Sequence, residues 1–278
     1  MSSVVYLNSS NATSQPNVFQ YNFPAGSVNF TGRQIAITSI ILPYSWYNVT
    51  SGYNNQNLSI IMPRTDGSAT TTLNLTIPQG FYTVQQLNSY LQSQMQANGF
   101  YLMNGTSNVY YLEIVPNLNL DAAQINCYVV PNTLPGGYTN PGGWVLPSTG
   151  TRVPQIVISS TNNFGSLIGM TAGTYPSTST QAATYSITSN TTANISPVSS
   201  VLVNCNLVNN QLSVPSNIIT NIPITAQFAS QIIYQPYEYI WLPILDGSYP
   251  YFRITFLDQL SNQLGITDTN IIITCLIK

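Results

Sequence analysis

The alternation of apolar and polar positions reads as a series of short strands with one helix among them. Leu73, Leu75 and Ile77 alternate with Asn74 and Thr76, the two-residue period of a half-buried strand. Pro78 and Gly80 break that strand, and a helical period takes over: Val84, Leu87, Leu91 and Met95 fall on one apolar stripe. Thr83 stands where an N-cap belongs, and Gln86 completes a capping box. Tyr82 and Leu87 occupy the positions of a hydrophobic staple, and Gly99 is suited to the left-handed turn that ends a helix. No other stretch reads as helix so clearly.

Elsewhere the period stays at two. Strands are predicted at 18–23, at 33–42 with Pro43 ending it, and over Leu58, Ile60 and Met62, followed by a turn at Thr65, Asp66 and Gly67. Further strands are predicted at 110–115, 123–130, 201–207, 218–224, 231–242, 251–257 and 270–277. Strands so spaced suit an antiparallel sandwich. Between 131 and 197 Gly, Pro, Ser and Thr dominate, with apolar islands only at 155–158 and 164–170. A structureless loop of that length is uncommon inside a compact domain, so this stretch is read as an insertion or a lid. Residues 1–17 are polar apart from 4–7, which fits a flexible arm or an edge strand that needs a partner. The expected organisation is an arm at 1–17 and one β domain over 18–278, with 131–197 as its insertion.

Composition changes the picture at the surface. Of the 278 residues only 4 % are charged, against about 25 % in an ordinary soluble protein, while the hydrophobic share is 44 %. Asn, Gln, Ser, Thr and Tyr take the place of the missing charges. Such a surface is wet but neutral and repels its own copies weakly, which suits a component of an assembly. The net charge is −2, and the basic residues Arg33, Arg64, Arg152, Arg253 and Lys278 are scattered, so no direct nucleic-acid partner is expected. No run of about 18 apolar residues is present, so no membrane span is expected, nor does the start of the chain resemble a secretion signal. Sequons at Asn8, Asn48, Asn74 and Asn190 are what a chain rich in Asn, Ser and Thr contains by chance. Cys127, Cys205 and Cys275 each fall on the inward phase of a predicted strand and are read as buried, free thiols, consistent with assembly in a reducing intracellular compartment.

Candidate chemistry is sparse. The chain has no His, which removes Ser-His-Asp and Cys-His catalysis and most transition-metal sites. The acids nearest one another, Glu113 with Asp121 and Glu238 with Asp246, read as isolated surface or turn residues rather than a glycosidase pair. Gly136-Gly137 and Gly142-Gly143 lack the following helix and Lys of a phosphate cradle, and 265–268 reads as a hairpin turn, not a calcium loop. No enzyme activity, cofactor or metal is expected. What remains is aromatic: Tyr234, Tyr237, Tyr239 and Trp241 interleave with Pro236 and Pro243. Both phases of 231–243 carry large apolar groups, and Pro236 cannot donate to a ladder, so the segment belongs at an edge or a bulge. It is read as core plus subunit interface, with a sugar-stacking platform as the other possibility.

Four segments in order, IPQGFYTVQQLNSYL (77–91), FGSLIGM (164–170), SVLVNCNLVNN (200–210) and FRITFLDQLSNQLGI (252–266), resemble the capsid proteins of virophages and polinton-like viruses, in particular the single jelly-roll penton. Pro78, Gly80, Tyr82 and Leu87 match the early motif of that family, and Phe252, Ile254, Phe256, Asp258 and Leu264 the late one. The likeness spans about residues 30 to 278, but 131–197 maps onto no family element. Length favours the penton over a major capsid protein, which carries two jelly rolls. The resemblance implies an all-β fold, a single antiparallel jelly-roll sandwich with one short α-helix and a Gly/Pro/Ser/Thr-rich insertion. It implies a structural capsid protein that forms homopentamers at the five-fold vertices of an icosahedral virion, beside the major capsid protein. Family members are also cut after Gly-Gly by a maturation protease; 134–137 fits superficially and otherwise reads as a loop. The competing reading is a carbohydrate- or receptor-binding jelly roll, such as a fibre head or lectin.

Overall fold

The structure, a computed structural model, describes residues 2–65, 69–120 and 122–278. The chain divides into two compact units, Met1–Trp46 with Ser196–Lys278, and Tyr47–Ile195. The first is built from eight main strands: β1 Ser3–Leu7, β2 Val18–Asn22, β3 Gln34–Pro43, β4 Ser200–Cys205, β5 Ile218–Pro223, β6 Gln231–Tyr234, β7 Tyr251–Asp258 and β8 Ile272–Ile277. One sheet runs β1-β8-β3-β6 and the other β5-β4-β7-β2, every pairing antiparallel. Apart from the consecutive β4 and β5, neighbours in each sheet are not successive in the chain, the double Greek-key order of a jelly roll.

The two-residue period of the sequence becomes the inside and outside of this sandwich. Phe252, Ile254 and Phe256 of β7 are fully buried, while Tyr251, Arg253 and Thr255 between them stay half-exposed. Val201, Val203 and Cys205 on β4, and Ile273, Cys275 and Ile277 on β8, repeat the pattern. Phe19 meets Phe256 edge to face at 5.9 Å between ring centres. Each such side chain removed from water contributes roughly 1.5–3 kcal/mol, so the alternating strands supply the cohesion of the unit.

Residues 3–7, an arm or unpartnered edge in the sequence, pair along their whole length with β8, and Leu7 is completely buried. The polar stretch that follows is also ordered by its own side chains. Asn8 caps a short 3-10 turn at Ser9–Asn11, and buried Asn17 donates its Nδ2 to the Phe256 carbonyl at 3.0 Å.

The second unit, 47–195, lies in sequence between β3 and β4. It contains the expected insertion, 131–197, almost entirely, and also the strand–turn–helix stretch and the residues before it. Its largest sheet orders Gly173–Tyr175, Gln155–Ile158, Asn57–Arg64 and Ala69–Thr76; two three-stranded sheets accompany it. The helix α1 spans Val84–Ala97 with Thr83 as N-cap. Both capping-box bonds form, Gln86 N–H to Thr83 Oγ1 at 3.2 Å and Thr83 N–H to Gln86 Oε1 at 2.8 Å. Gly99 follows with φ +75°, the left-handed conformation that closes the helix. Val84, Leu87, Leu91 and Met95 are buried in one core with Leu112, Ile114, Ile125 and Trp144. Asn88 Oδ1 accepts the Ile114 N–H at 2.9 Å, tying the helix to the strand Leu112–Asn117.

Asn48 explains how the two ends of this unit meet. Its Nδ2 donates to the carbonyls of Tyr82 and Ile195 at 2.7 and 2.8 Å, and its Oδ1 accepts the Tyr82 N–H at 2.8 Å. The residue is 1 % exposed, so this sequon is a structural amide and not a surface acceptor.

A second helix, α2 Phe164–Ile168, forms where the sequence shows only an apolar island, and Gly169 ends it at φ +72°. Five residues are too few to display a helical period. Of the turn expected at 65–67, Thr65 has φ +57°, while Asp66 and Gly67 lie outside the described residues, as does Asp121.

A candidate interaction surface at the edge of the jelly roll

The stretch predicted as one strand over 231–242 is broken in the middle. β6 pairs Gln231–Tyr234 with 40–43 of β3, and the chain regains β3 only at Leu242 and Pro243, opposite Ile35 and Gln34. The physical reason is Pro236, which has no N–H for the ladder and whose ring restricts the residue before it. Residues 235–241 therefore form an outward loop along the edge of the sheet, and residues 36–39 of β3 have no ladder partner on that side among the described residues.

The four aromatic residues of this segment separate into different environments. Tyr234 is half-buried, and its hydroxyl shares a 2.7 Å hydrogen bond with Thr220 Oγ1 of β5, so it joins the two sheets. Tyr237 is fully exposed, at 109 % of its reference area. Tyr239 is exposed and meets Trp241 edge to face, with ring centres 6.4 Å apart. Trp241 is half-buried, with the Lys278 Nζ 4.0 Å above its ring, a cation–π contact. The structure thus brings Tyr239 and Trp241 together and leaves Tyr237 projecting alone.

Ile233 and Ile240, each 63 % exposed, and exposed Leu245 extend the apolar surface beyond the aromatic residues. The aromatic count alone did not point to them; the apolar content of both phases of 231–243 pointed to Ile233 and Ile240, and Leu245 lies beyond that segment. Glu238, in the same loop, is also exposed. Edges of this kind attract a further chain unless something covers them.

The remaining polar groups hold turns and strands in place. Asp246 Oδ1 accepts the Gly32 N–H at 2.8 Å. Buried Asp258 accepts the N–H groups of Leu260 and Asn262, each at 2.8 Å, closing the turn after β7. Asp268 caps the Asn270 N–H at 2.9 Å. Glu113 accepts from Asn126 Nδ2 at 2.9 Å and from the Tyr128 hydroxyl; that bond, with burial, pushes Tyr128 up to about 12. Of the four acids named as two pairs, Asp246 holds the Gly32 turn and Glu113 holds Asn126, while Asp121 lies outside the described residues. Gly136-Gly137 sit in the turn closed by the Tyr138 N–H to the Pro135 carbonyl, and Gly142-Gly143 in one that Asn140 fastens to Trp144. Among the described residues no cluster of Asp, Glu and Cys is arranged to hold a metal ion, and no helix is long and apolar enough to cross a membrane. Cys127, Cys205 and Cys275 are free and buried, and burial pushes the first two thiols up to about 12.

No protein-family model and no curated protein matches the chain. Among solved structures it is similar to the mavirus penton protein, at 11 % identity and a TM-score of 0.42 over 100 % of this chain and 98 % of that one. It is also similar to a chain in the cryo-EM structure of the Sputnik virophage, at 13 % identity and a TM-score of 0.40, covering 99 % and 97 %.

Proposed function

We propose that the chain is a structural capsid protein, the penton that forms homopentamers at the five-fold vertices of an icosahedral virion and there meets the major capsid protein. The observation that carries this reading is the loop at 235–241, which presents Tyr237, Tyr239 and Ile240 to solvent on the edge of a jelly roll. A surface with 4 % charge offers little repulsion between copies, so this apolar edge is free to associate. In a ring a neighbour covers the edge, and the Tyr hydroxyls stay hydrated at the rim. The ordered series of segments that resembles virophage and polinton-like pentons supports the vertex position over other capsid roles. No residue is assigned a catalytic role in this reading. Three free, buried thiols are consistent with assembly in a reducing compartment.

The sugar-platform reading of the same aromatic residues is weaker, because one face of Trp241 is covered by Lys278. Sedimentation of the wild type and Tyr237→Ala over a range of concentrations tests the proposal. The variant is expected to associate at least about tenfold more weakly, as truncation of a central interface Tyr does. Equal association by the two proteins would remove this loop from the interface.

A further inference from the structure

The opposite sheet of the jelly-roll unit carries a cleft of about 370 Å³, lined by Thr13, Ser14, Gln15, Val18, Arg253 and Thr255. Arg253 on β7 faces Gln20 on β2 in register. Its Nε and Nη2 both donate to Gln20 Oε1, at 2.9 and 2.7 Å, and its guanidinium lies 4.6 Å from the centre of the Tyr251 ring. These contacts fix the plane of the guanidinium and use two of its five N–H groups. Both N–H groups of Nη1 and one of Nη2 remain, and one from each nitrogen makes the parallel pair that grips a carboxylate at two points. Among the described residues no acidic side chain neutralises it. In a chain of five basic residues, this one is held rigid beside a hollow.

We infer that this cleft is a binding site for an acidic monosaccharide unit of the uronic-acid type, with Arg253 holding its carboxylate. A lone guanidinium suits a monoanion; a phosphate dianion ordinarily recruits a second cation or a helix N-terminus, and none lines the cleft. The hydroxyls of Ser14 and Thr255 and the amide of Gln15 offer donors and acceptors to ring hydroxyls, and Val18 gives a small apolar contact for ring C–H groups. The volume lies at the low end for small-molecule sites and accommodates one sugar ring, not a long segment of polymer. The site is independent of the assembly surface, and its test does not depend on oligomeric state.

The test is a ligand-observed NMR titration of the full chain with methyl glucuronide, using methyl glucoside, in which a neutral hydroxymethyl group replaces the carboxylate, as the control probe. Saturable binding of the glucuronide is expected, with the glucoside and free acetate each at least about tenfold weaker. Arg253→Gln is expected to lose the preference for the acid, and Arg253→Lys to keep part of it, since the charge remains and the fork is lost. Should Arg253→Gln fail to fold by circular dichroism, the double substitution Ser14→Ala and Thr255→Val is expected to weaken the glucuronide and leave acetate unchanged. The inference is overturned by absence of saturable binding, by equal affinity for the neutral glucoside, or by acetate or inorganic phosphate binding as tightly as the glucuronide. Undiminished binding to folded Arg253→Gln, or to the double variant, overturns it equally.

Discussion

Tyr234 and Tyr237 stand three residues apart and have opposite consequences. Tyr237 touches little within its own chain, so Tyr237→Ala is expected to leave the melting temperature of the isolated protomer unchanged while association weakens. Tyr234→Phe removes the bond to Thr220 that joins the sheets, and is expected to cost about 1 kcal/mol in denaturant unfolding with association unaffected. The sequence grouped both with Tyr239 and Trp241 as one aromatic set. It could not separate them, because the period-2 argument holds only while the strand lasts, and β6 ends at Tyr234. The inward phase of the three cysteines was legible, since each follows the alternation of its own strand. Their burial gives a pH dependence with a definite sign. Cys127 and Cys205 are raised from 9.0 to about 12, and Tyr111 from 10.0 to about 12, by removal from water. The folded chain keeps these protons where the unfolded chain releases them, so their contribution is fully present below about pH 9 and is lost between about 9 and 12. Urea midpoints are expected to fall from about pH 8 to about pH 10.5, and folded protein is expected to resist thiol reagents at the lower pH. A midpoint that rises over that interval would contradict the assignment.

At the scale of elements, α1 was the most legible because three signals coincide: cap, stripe and closing glycine. Thr83→Ala removes the side-chain half of the capping box and is expected to cost about 1 kcal/mol, measured by chemical denaturation. The short helix α2 gave no such signal. The break in 231–242 was foreshadowed by Pro236, but its extent depends on where β3 regains a partner, a long-range fact. β1 shows the same limit: its apolar residues at 4–7 were visible, its partner was not. Deleting residues 1–16 would uncover one edge of β8 and remove buried Leu7. The truncated protein is expected to melt at lower temperature and to aggregate more readily than the full chain.

For the whole molecule, the antiparallel all-β class followed from alternation and the jelly-roll order from the resemblance, while short strands such as Val28–Phe30, Gly173–Tyr175 and Tyr185–Thr188 left no period to read. The compact unit at 47–195 was hidden for a physical reason. Its cohesion depends on pairings such as Val130 with Arg152 and Gln155 with Ile61, and on Asn48 binding Ile195, none of which leaves a local pattern. Asn48→Ala is expected to destabilise the protein by about 2–4 kcal/mol in chemical denaturation, because several bonds to one buried amide are lost together. The scarcity of charge acts at this scale too. Association is expected to change less than tenfold between low and physiological salt, since screening over about 8–10 Å has few charges to act on. The central claim, that this chain closes a five-fold ring, is tested most directly by native mass spectrometry of the full-length protein over increasing concentration. The account predicts a homopentamer that Tyr237→Ala depletes. A stable trimer, or a monomer at every concentration with and without the major capsid protein, would contradict it.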